Sequence, residues 1–272
     1  MQTQYEIAVI GSGNAAEGIV HGILRRSILL DDRIIATDPN ETRRELFARR
    51  FGIAVTDDNR RAVENSYIVL LAVKPQQFKQ VVEGFADLIR PDHVIISIMA
   101  GVSTATLEAQ FPRVQARVIR VMPNLAMHVG AGMAGLFRGR HAHEVDLLRA
   151  QRIFDAAGKT LILADEALMD AVTAVSGTGP AYFYYFTETI VAAGEAAGLS
   201  HPEAMLLATQ ACYGAACMMM ESKEPPSVLR QKVTSAGGTT QAAMDCMRNH
   251  DVFEHIKEAV VAACNRSREL GR

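Results

Sequence analysis

The sequence has 272 residues, of which 49% are hydrophobic and 21% are charged, a balance typical of a globular protein with a full core. The formal net charge of −2 predicts no nucleic-acid partner, because such partners normally require a basic stripe. No charged-then-apolar leader opens the sequence and no apolar run approaches the length of a membrane span, so we expect a cytoplasmic protein without membrane association.

A strand-like apolar run near the N-terminus leads into a glycine-rich loop. Ile7–Ile10 precede the stretch Gly11–Ala16, which has the pattern Gly-x-Gly-x-x-Ala, and a helical pattern follows it. In that context Gly11 permits a tight turn, Gly13 lets the backbone approach a pyrophosphate, and Ala16 lets the helix pack closely on the strand. The segment therefore predicts a dinucleotide-binding site.

A second apolar run, Arg33–Thr37, ends in Asp38, about twenty residues beyond the loop, where an acidic residue hydrogen-bonds the adenosine ribose. Asp38 alone favours NADH, whereas Arg43 or Arg44 would neutralise the 2′-phosphate of NADPH, so the cofactor is predicted as NADPH or NADH. Because acidic residues are interleaved among the arginines of residues 43–50, we interpret this cluster as a solvated helix face.

From residue 7 to residue 163, short apolar runs alternate with helical stretches. This alternation predicts an α/β Rossmann-type domain, residues 1–164, with a mostly parallel sheet that binds ligands at the carboxyl ends of its strands. The loops at Gly11, Asp38, Lys74 and Met99 should then face one crevice. The predicted strands are Ile7–Ile10, Arg33–Thr37, Tyr67–Val73, His93–Ile98, Val118–Val121, Gly132–Phe137 and Thr160–Leu163.

After Asp165 the pattern becomes helical and rich in Ala and Met, which predicts an all-α C-terminal dimerisation domain, residues 165–272. Its limited bulk favours a core shared between two copies. Its four cysteines match no zinc or redox spacing, so we expect buried free thiols and no metal site. The predicted helices are Pro180–Gly198, Pro202–Met220, Ser227–Val233, Gly238–Asn249 and Asp251–Leu270.

Two loops of this helical half combine hydroxyls with glycines. Val233–Thr240 runs directly into a helical pattern, and a helix start with free N–H groups can bind a carboxylate without Lys or Arg. Taken alone the stretch favours an ordinary helix cap with a flexible turn. Ser176–Tyr182 is a second loop of this kind. Two such loops in one small domain are more than helix capping requires, and together they predict a pocket for a small anion.

Two further segments end predicted strands with a proline, namely Ala72–Gln76 and Arg120–Asn124. Asn124 is a candidate hydrogen-bond partner for a nicotinamide or for a reacting substrate. For Lys74 and Asn124, a purely structural role in the loop remains equally open.

Taken in order, five motifs resemble the pyrroline-5-carboxylate reductase family over nearly the whole chain: Gly11–Ala16, Ala72–Gln76, Met122–Asn124, Asp170–Tyr182 and Val233–Thr240. The resemblance implies reduction of 1-pyrroline-5-carboxylate to L-proline by hydride transfer from NADPH or NADH, the last step of proline biosynthesis. It also implies a Rossmann domain followed by a helical domain that forms a homodimer, with a decamer as a further assembly.

The resemblance also implies roles for individual residues. The cofactor would be lined by Ser12, Asn14, Ala15, Asp38, Asn59, Val73, Lys74 and Ala100, in addition to Gly11, Gly13 and Asn124. The substrate would be surrounded by Glu166, Thr173, Ser235, Gly237, Gly238, Thr239 and Thr240. Thr240 would lie nearest the ring nitrogen, and the candidate catalytic residues are Thr240, Ser176 and Thr173.

Three departures from the family pattern stand near these sites. Ala236 replaces a common Pro, Leu125 and Ala126 replace a common Thr-Pro pair, and His128 is unusual in its segment. Leu125 would lie close to the nicotinamide and bears on substrate range.

Other functions remain open at this point. A related cyclic-imine reductase or a β-hydroxyacid dehydrogenase would have the same two-domain plan, although the latter uses a catalytic Lys in the first long helix of its second domain and Pro180–Gly198 contains none. A non-catalytic NAD(P)H-binding sensor would keep Gly11–Ala16 but would not need both hydroxyl-glycine loops.

Overall fold

The computed structural model describes residues 4–271, which form two compact units. The first comprises the residues up to Thr178 together with those from Ala263 onward, and the second comprises Gly179–Ala262. The domain boundary between residues 164 and 165 stays a prediction, and the units divide later in the chain. Helical periodicity does not show which unit the end of a helix packs against, so the last helical turns could not be assigned from the pattern.

The first unit is built on one sheet in the order β3-β2-β1-β4-β5-β6-β7-β8. Neighbouring strands are parallel except for the antiparallel pair of β6 and β7, which confirms the predicted mostly parallel sheet. The strands are β1 (Tyr5–Ile10), β2 (Ile34–Thr37), β3 (Ala54–Thr56), β4 (Ser66–Leu71), β5 (Val94–Ser97), β6 (Arg117–Pro123), β7 (Gly132–Arg138) and β8 (Gly158–Ile162).

Two details of the strands differ from the prediction. The edge strand β3 has three residues, too few to show an apolar run, so it was missed. Pro123 does not end its strand early: it pairs with Ala134 at the last position of β6, where a missing N–H costs little.

Both faces of the sheet are covered by helices. Successive side chains of β1 alternate between faces, so Ile7 and Val9 enter one apolar core, while Ala8 and Ile10 enter the other. The helices of the first unit are α1 (Asn14–Arg25), α2 (Glu41–Phe51), α3 (Asn59–Glu64), α4 (Phe78–Glu83), α5 (Thr104–Glu108), α6 (Glu144–Asp155) and α7 (Met169–Val172). Side chains of α1, α2 and α6 fill the first core, and those of α3, α4 and α5 fill the second.

Short helical turns connect these elements. The 3-10 helices are Asp31–Arg33, Pro75–Gln77, Ala86–Leu88, Leu125–Val129 and Glu166–Leu168, and a π-helical turn spans Thr173–Gly177. π-helical turns are rare in proteins overall, and many of those that occur lie at functional sites.

The second unit is helical, as predicted, with α8 (Gly179–Ala196), α9 (His201–Ser222), α10 (Pro226–Lys232), α11 (Thr239–Asn249) and the first part of α12 (Val252–Leu270). Small residues let α8 and α9 approach closely: a Cβ added to Gly194 would lie 3.1 Å from the Cβ of Ala204. The buried apolar cluster of this unit is small and contains Val191, Ala204 and Ala208.

Large apolar side chains of the second unit remain exposed. On α8, Tyr184 is 61% exposed and Tyr185 70%, and on α9 Leu206 is 70% exposed. The cysteines are free but not buried as expected, because Cys246 is exposed and the other three are half-buried. Within residues 4–271, none of the helices combines the length and apolar character that a membrane span requires.

Candidate functional site

The glycine loop is shaped by the strand beside it. Gly11 follows β1 with a φ of +97°, and a Cβ at this position would lie 2.8 Å from the carbonyl oxygen of Ala72. Its N–H donates to the carbonyl of Thr37 at 2.9 Å, and the buried Ser12 hydroxyl donates to the same carbonyl at 3.1 Å. Only glycine fits the backbone of this turn at low cost.

The start of α1 is open. Gly13 precedes it in an extended conformation and has no side chain to accept a capping hydrogen bond. Apart from its chain neighbours, no residue of the described range 4–271 has an atom within 4 Å of the place where a Cβ would stand. Asn14 and Ala15, the first residues of the helix, are exposed. Uncapped N–H groups and the helix dipole favour an anion here, so the loop fits the pyrophosphate of a dinucleotide.

A buried ion-pair cluster supports this helix start. Glu17, in the first turn of α1, accepts a hydrogen bond from Arg43 Nη2 at 2.9 Å and also pairs with Arg50. Arg43 Nε donates to the Ser12 carbonyl at 2.6 Å. The interpretation of the arginine cluster as a solvated face is therefore wrong for Arg43, whose side chain is 26% exposed, whereas Arg50 is exposed as expected. Both arginines neutralise a carboxylate that is only 11% exposed.

Asp38 lies against the glycine loop. Its two carboxylate oxygens accept hydrogen bonds from the backbone N–H groups of Ser12 and Asn40, each at 2.9 Å. A carboxylate has about four acceptor positions, so two remain for ribose hydroxyls. Arg44 Nη1 donates to the Asp38 carbonyl at 2.8 Å, which places a positive charge beside the same residue.

The remaining predicted cofactor residues follow strands at one edge of the sheet. The register aligns Ile10 with Thr37 and with Leu71, and Leu71 with Ser97, so the loops after β1, β2, β4 and β5 begin at the same edge, as predicted. They carry Val73, the exposed Lys74 and the half-buried Ala100. Asn59, at the start of α3, joins them because its Oδ1 accepts a hydrogen bond from Thr37 Oγ1 at 2.6 Å.

Asn124 connects the end of β6 with the π-helical turn. Its Nδ2 donates to the Ser176 carbonyl at 3.1 Å and lies 3.5 Å from the Ser176 hydroxyl, and its Oδ1 accepts from Met133 N–H at 3.2 Å. Thr173 Oγ1 donates to the Met169 carbonyl of its own helix at 2.9 Å. The structure thus brings Asn124 and Ser176 together and gives Thr173 a local structural bond.

Glu166 makes an unexpected set of contacts. Its carboxylate accepts hydrogen bonds from the N–H and the hydroxyl of Thr104, at 2.8 and 2.7 Å, and from Arg120 Nη1 at 3.0 Å. Arg120 is buried, with 7% of its side chain exposed. These three bonds fix the segment before α7 to the start of α5 and to β6, a structural role that the sequence did not reveal.

The hydroxyl-glycine loop of the second unit lies between α10 and α11. Thr234 closes the end of α10 by donating from its hydroxyl to the Arg230 carbonyl at 2.7 Å. Gly238 then precedes α11 in an extended conformation and provides no side-chain cap. Within residues 4–271, the hydroxyls of Ser235, Thr239 and Thr240 have no hydrogen-bond partner. The 11-residue helix α11 therefore starts with open N–H groups beside three available hydroxyls.

Comparisons with known proteins match both parts of the chain. A family model described as pyrroline-5-carboxylate reductase dimerisation matches residues 166–270, and one described as NADP oxidoreductase, coenzyme F420-dependent, matches residues 6–101. The chain is 39% identical to a pyrroline-5-carboxylate reductase of Pseudomonas aeruginosa, over 97% of this chain and 96% of that protein.

Two solved structures are similar to the whole chain. A pyrroline-5-carboxylate reductase from Coxiella burnetii is 34% identical with a TM-score of 0.90, and both chains are covered at 100%. A pyrroline carboxylate reductase from Plasmodium falciparum, solved with NADP bound, is 25% identical with a TM-score of 0.89 and the same coverage.

Proposed function

The chain belongs to the pyrroline-5-carboxylate reductase family, and we propose that it reduces 1-pyrroline-5-carboxylate to L-proline with NADPH or NADH, as the last step of proline biosynthesis. The observation that carries the proposal is a pair of open helix starts, at α1 in the first unit and at α11 in the second. The first suits a pyrophosphate and the second a small carboxylate, the two anions that this reaction brings to the enzyme.

The cofactor would be held by the residues at the carboxyl edge of the sheet. Gly11, Ser12, Gly13, Asn14 and Ala15 would receive the pyrophosphate at the start of α1, where the open backbone leaves room for it. Asp38 would accept hydrogen bonds from the ribose hydroxyls. The other proposed cofactor contacts are Asn59, Val73, Lys74, Ala100 and Asn124.

The substrate carboxylate would bind at the start of α11. Ser235, Gly237, Gly238 and Thr239 would surround it with N–H groups and hydroxyls, and Lys or Arg would not be needed because the helix dipole already favours a negative charge. Thr240 would hold a hydrogen bond at the ring nitrogen. Glu166, Thr173 and Ser176 remain predicted contacts, although Glu166 and Thr173 already have the structural bonds described above.

The cofactor supplies the difficult chemistry when it is bound, namely the hydride that the imine carbon accepts. The residues of the first unit would orient the nicotinamide ring. In the second unit, Thr240 would keep a hydrogen bond at the imine nitrogen, which carries the added proton in the product amine. No acidic side chain is needed for this if the imine arrives protonated, and Thr240 then acts by positioning.

We also propose a homodimer formed through the second unit. The support is the contrast between its small buried cluster, Val191, Ala204 and Ala208, and the exposed aromatic and aliphatic side chains of α8 and α9. A second copy covering these faces would bury apolar surface that one unit leaves in water. Sedimentation should find a dimer or a multiple such as a decamer, and an active monomer at micromolar concentration would contradict the proposal. The cytoplasmic location and the lack of a nucleic-acid partner stay predictions.

A spectrophotometric assay tests the function directly. Purified protein is mixed with each reduced nicotinamide cofactor, with and without 1-pyrroline-5-carboxylate, and proline is quantified. We expect cofactor oxidation that depends on the imine and matches the proline formed. Folded protein that turns over with neither cofactor would remove the reductase function and favour a binding sensor.

A further inference from the structure

His128 links two segments that the proposed cofactor site depends on. It lies in the 3-10 helix Leu125–Val129, immediately after Asn124, and its Nε2 lies 2.8 Å from the carbonyl oxygen of Asn14. Asn14 is the first residue of α1. A carbonyl oxygen only accepts hydrogen bonds, so Nε2 must carry the proton and donate it.

Two more contacts fix the same histidine. The carbonyl of His128 accepts a hydrogen bond from His21 Nδ1 at 3.2 Å, about two turns beyond Asn14 along α1. The imidazole ring also packs on Gly18: a Cβ added there would lie 3.2 Å from His128 Cδ2 and 3.4 Å from the His128 backbone nitrogen. The ring, the carbonyl and the backbone nitrogen of one residue therefore all meet the first turns of α1.

The bond to Asn14 uses a carbonyl, and it leaves the open N–H groups of the helix start unused. The N–H groups proposed to bind the pyrophosphate thus remain free of this contact. A carbonyl oxygen of the same helical turn is bonded to the segment after β6. Asn124, at the head of that segment, is itself fixed by Ser176 and Met133.

We infer that His128 is a positioning residue for the dinucleotide, which holds the helix start at Gly13–Ala15 in register with the loop at Asn124. The inference rests on the proposed function, because that function places the pyrophosphate at the first segment and the nicotinamide near the second. A cofactor that spans both segments binds best when their separation is fixed in advance.

The consequence is a loss of cofactor affinity that does not depend on the 2′-phosphate. His128→Leu removes the donor and puts an apolar side chain of similar size in its place, and we expect NADH and NADPH each to bind about three- to tenfold more weakly. The ratio of the two affinities should stay unchanged, because both cofactors share the pyrophosphate and the nicotinamide. His128→Gln keeps an N–H donor of similar reach and should restore most of the affinity.

The matched control is a histidine at the opposite end of the central strands. His141 is half-buried in the loop after β7, and β7 runs antiparallel to β6, so this histidine lies away from the carboxyl ends of the central strands. His141→Leu makes the same change of side chain and should leave both affinities at the parent value.

The experiment is a titration of the full-length protein and its variants with NADH and with NADPH, followed by thermal unfolding and steady-state kinetics. A purely structural role would lower the unfolding temperature of His128→Leu and leave cofactor affinity of the folded protein unchanged, which would overturn the inference. Parent protein that binds neither cofactor would instead refute the proposed function.

A second variant keeps the test decisive if His128→Leu fails to fold. Gly18→Ala adds a Cβ against the His128 ring and should displace it by a few tenths of an ångström. Alanine is the better helix former, so α1 itself is not weakened. We expect weaker binding of both cofactors without loss of helical structure, and parent-like affinity in this variant would contradict the inference.

Discussion

The two glycines of the cofactor loop have different physical reasons for being glycine, and replacing each by alanine separates them. Gly11 has a φ of +97°, and a Cβ there would lie 2.8 Å from the Ala72 carbonyl oxygen and 3.1 Å from Val73 Cγ1. The positive φ costs about 1–3 kcal/mol for a residue with a side chain. The contact with a backbone atom of the central sheet adds to it, so we expect Gly11→Ala to lower the free energy of unfolding by about 2–4 kcal/mol.

Gly13 provides the control. It precedes α1 with φ −74° and ψ −179°, an extended conformation open to any residue. Among the residues that the structure describes, none other than its chain neighbours has an atom within 4 Å of an added Cβ. Alanine is a poorer N-cap than glycine by about 0.5–1 kcal/mol, but it stabilises by about 0.4–1 kcal/mol because it reduces the freedom of the unfolded chain. The two effects offset, so Gly13→Ala should change the free energy of unfolding by less than about 0.5 kcal/mol. Its methyl group would nevertheless occupy the space proposed for the pyrophosphate, and cofactor affinity should fall about tenfold, or 1.4 kcal/mol.

Urea unfolding and cofactor titration, carried out on both variants, measure these effects. Stability should fall in Gly11→Ala and affinity should fall in Gly13→Ala, where the fold is intact. If Gly13→Ala binds NADH and NADPH as tightly as the parent, the pyrophosphate does not approach this backbone. If Gly11→Ala unfolds at the parent's urea concentration, the turn does not require a positive φ.

Three further variants test the chemistry of single side chains. Asp38→Asn removes the charge that would face a 2′-phosphate, so the ratio of kcat/KM values should shift toward NADPH by about tenfold; an unchanged ratio would mean that Asp38 does not contact the ribose. Thr240→Ala should lose about 1–3 kcal/mol of transition-state stabilisation with cofactor affinity unchanged, and parent-like kinetics would make Thr240 only a helix-start residue. Burial, assisted by the charge of Arg90, lowers the pKa of His93 to about 4, while the ring accepts from Arg90 N–H and donates to the Ser66 carbonyl. Between pH 6.5 and pH 4 the imidazole of the unfolded chain is protonated, whereas that of the folded protein stays neutral. Between pH 7 and pH 5 the free energy of unfolding of the parent should therefore fall by about 2 kcal/mol more than that of His93→Gln, as measured by urea unfolding. An equal pH dependence in parent and variant would contradict that assignment.

Much of the fold follows from local pattern. Short apolar runs identified seven strands within a few residues of their observed ends. Most of these strands are buried on both faces of the sheet, and such a strand must be apolar throughout. The strand β3 was not predicted because Ala54–Thr56 is short and half-buried. Its pairing with β2 depends on the sheet and not on its own composition. The helices α8 to α12 were likewise located from their spacing and their prolines, whereas the four-residue helix α7 was missed because it is too short to show a helical pattern.

The motifs at the two candidate sites could also be found in the sequence, since backbone turns of that kind demand glycine and hydroxyl residues at fixed spacing. The residues that their side chains contact could not be found in this way. Asp38 meets Ser12 across 26 residues, Glu166 meets Thr104 across 62, and His128 meets Asn14 across 114.

Such pairings are decided by tertiary structure for a physical reason. A local pattern fixes the backbone geometry of a turn or a helix start, because that geometry depends on neighbouring residues. The charge environment of Glu17, enclosed by Arg43 and Arg50 of another helix, depends instead on which strands adjoin and in what register, and only the folded sheet specifies both. Local sequence therefore determined where the two open helix starts lie, and the packing of distant segments decided which side chains surround them.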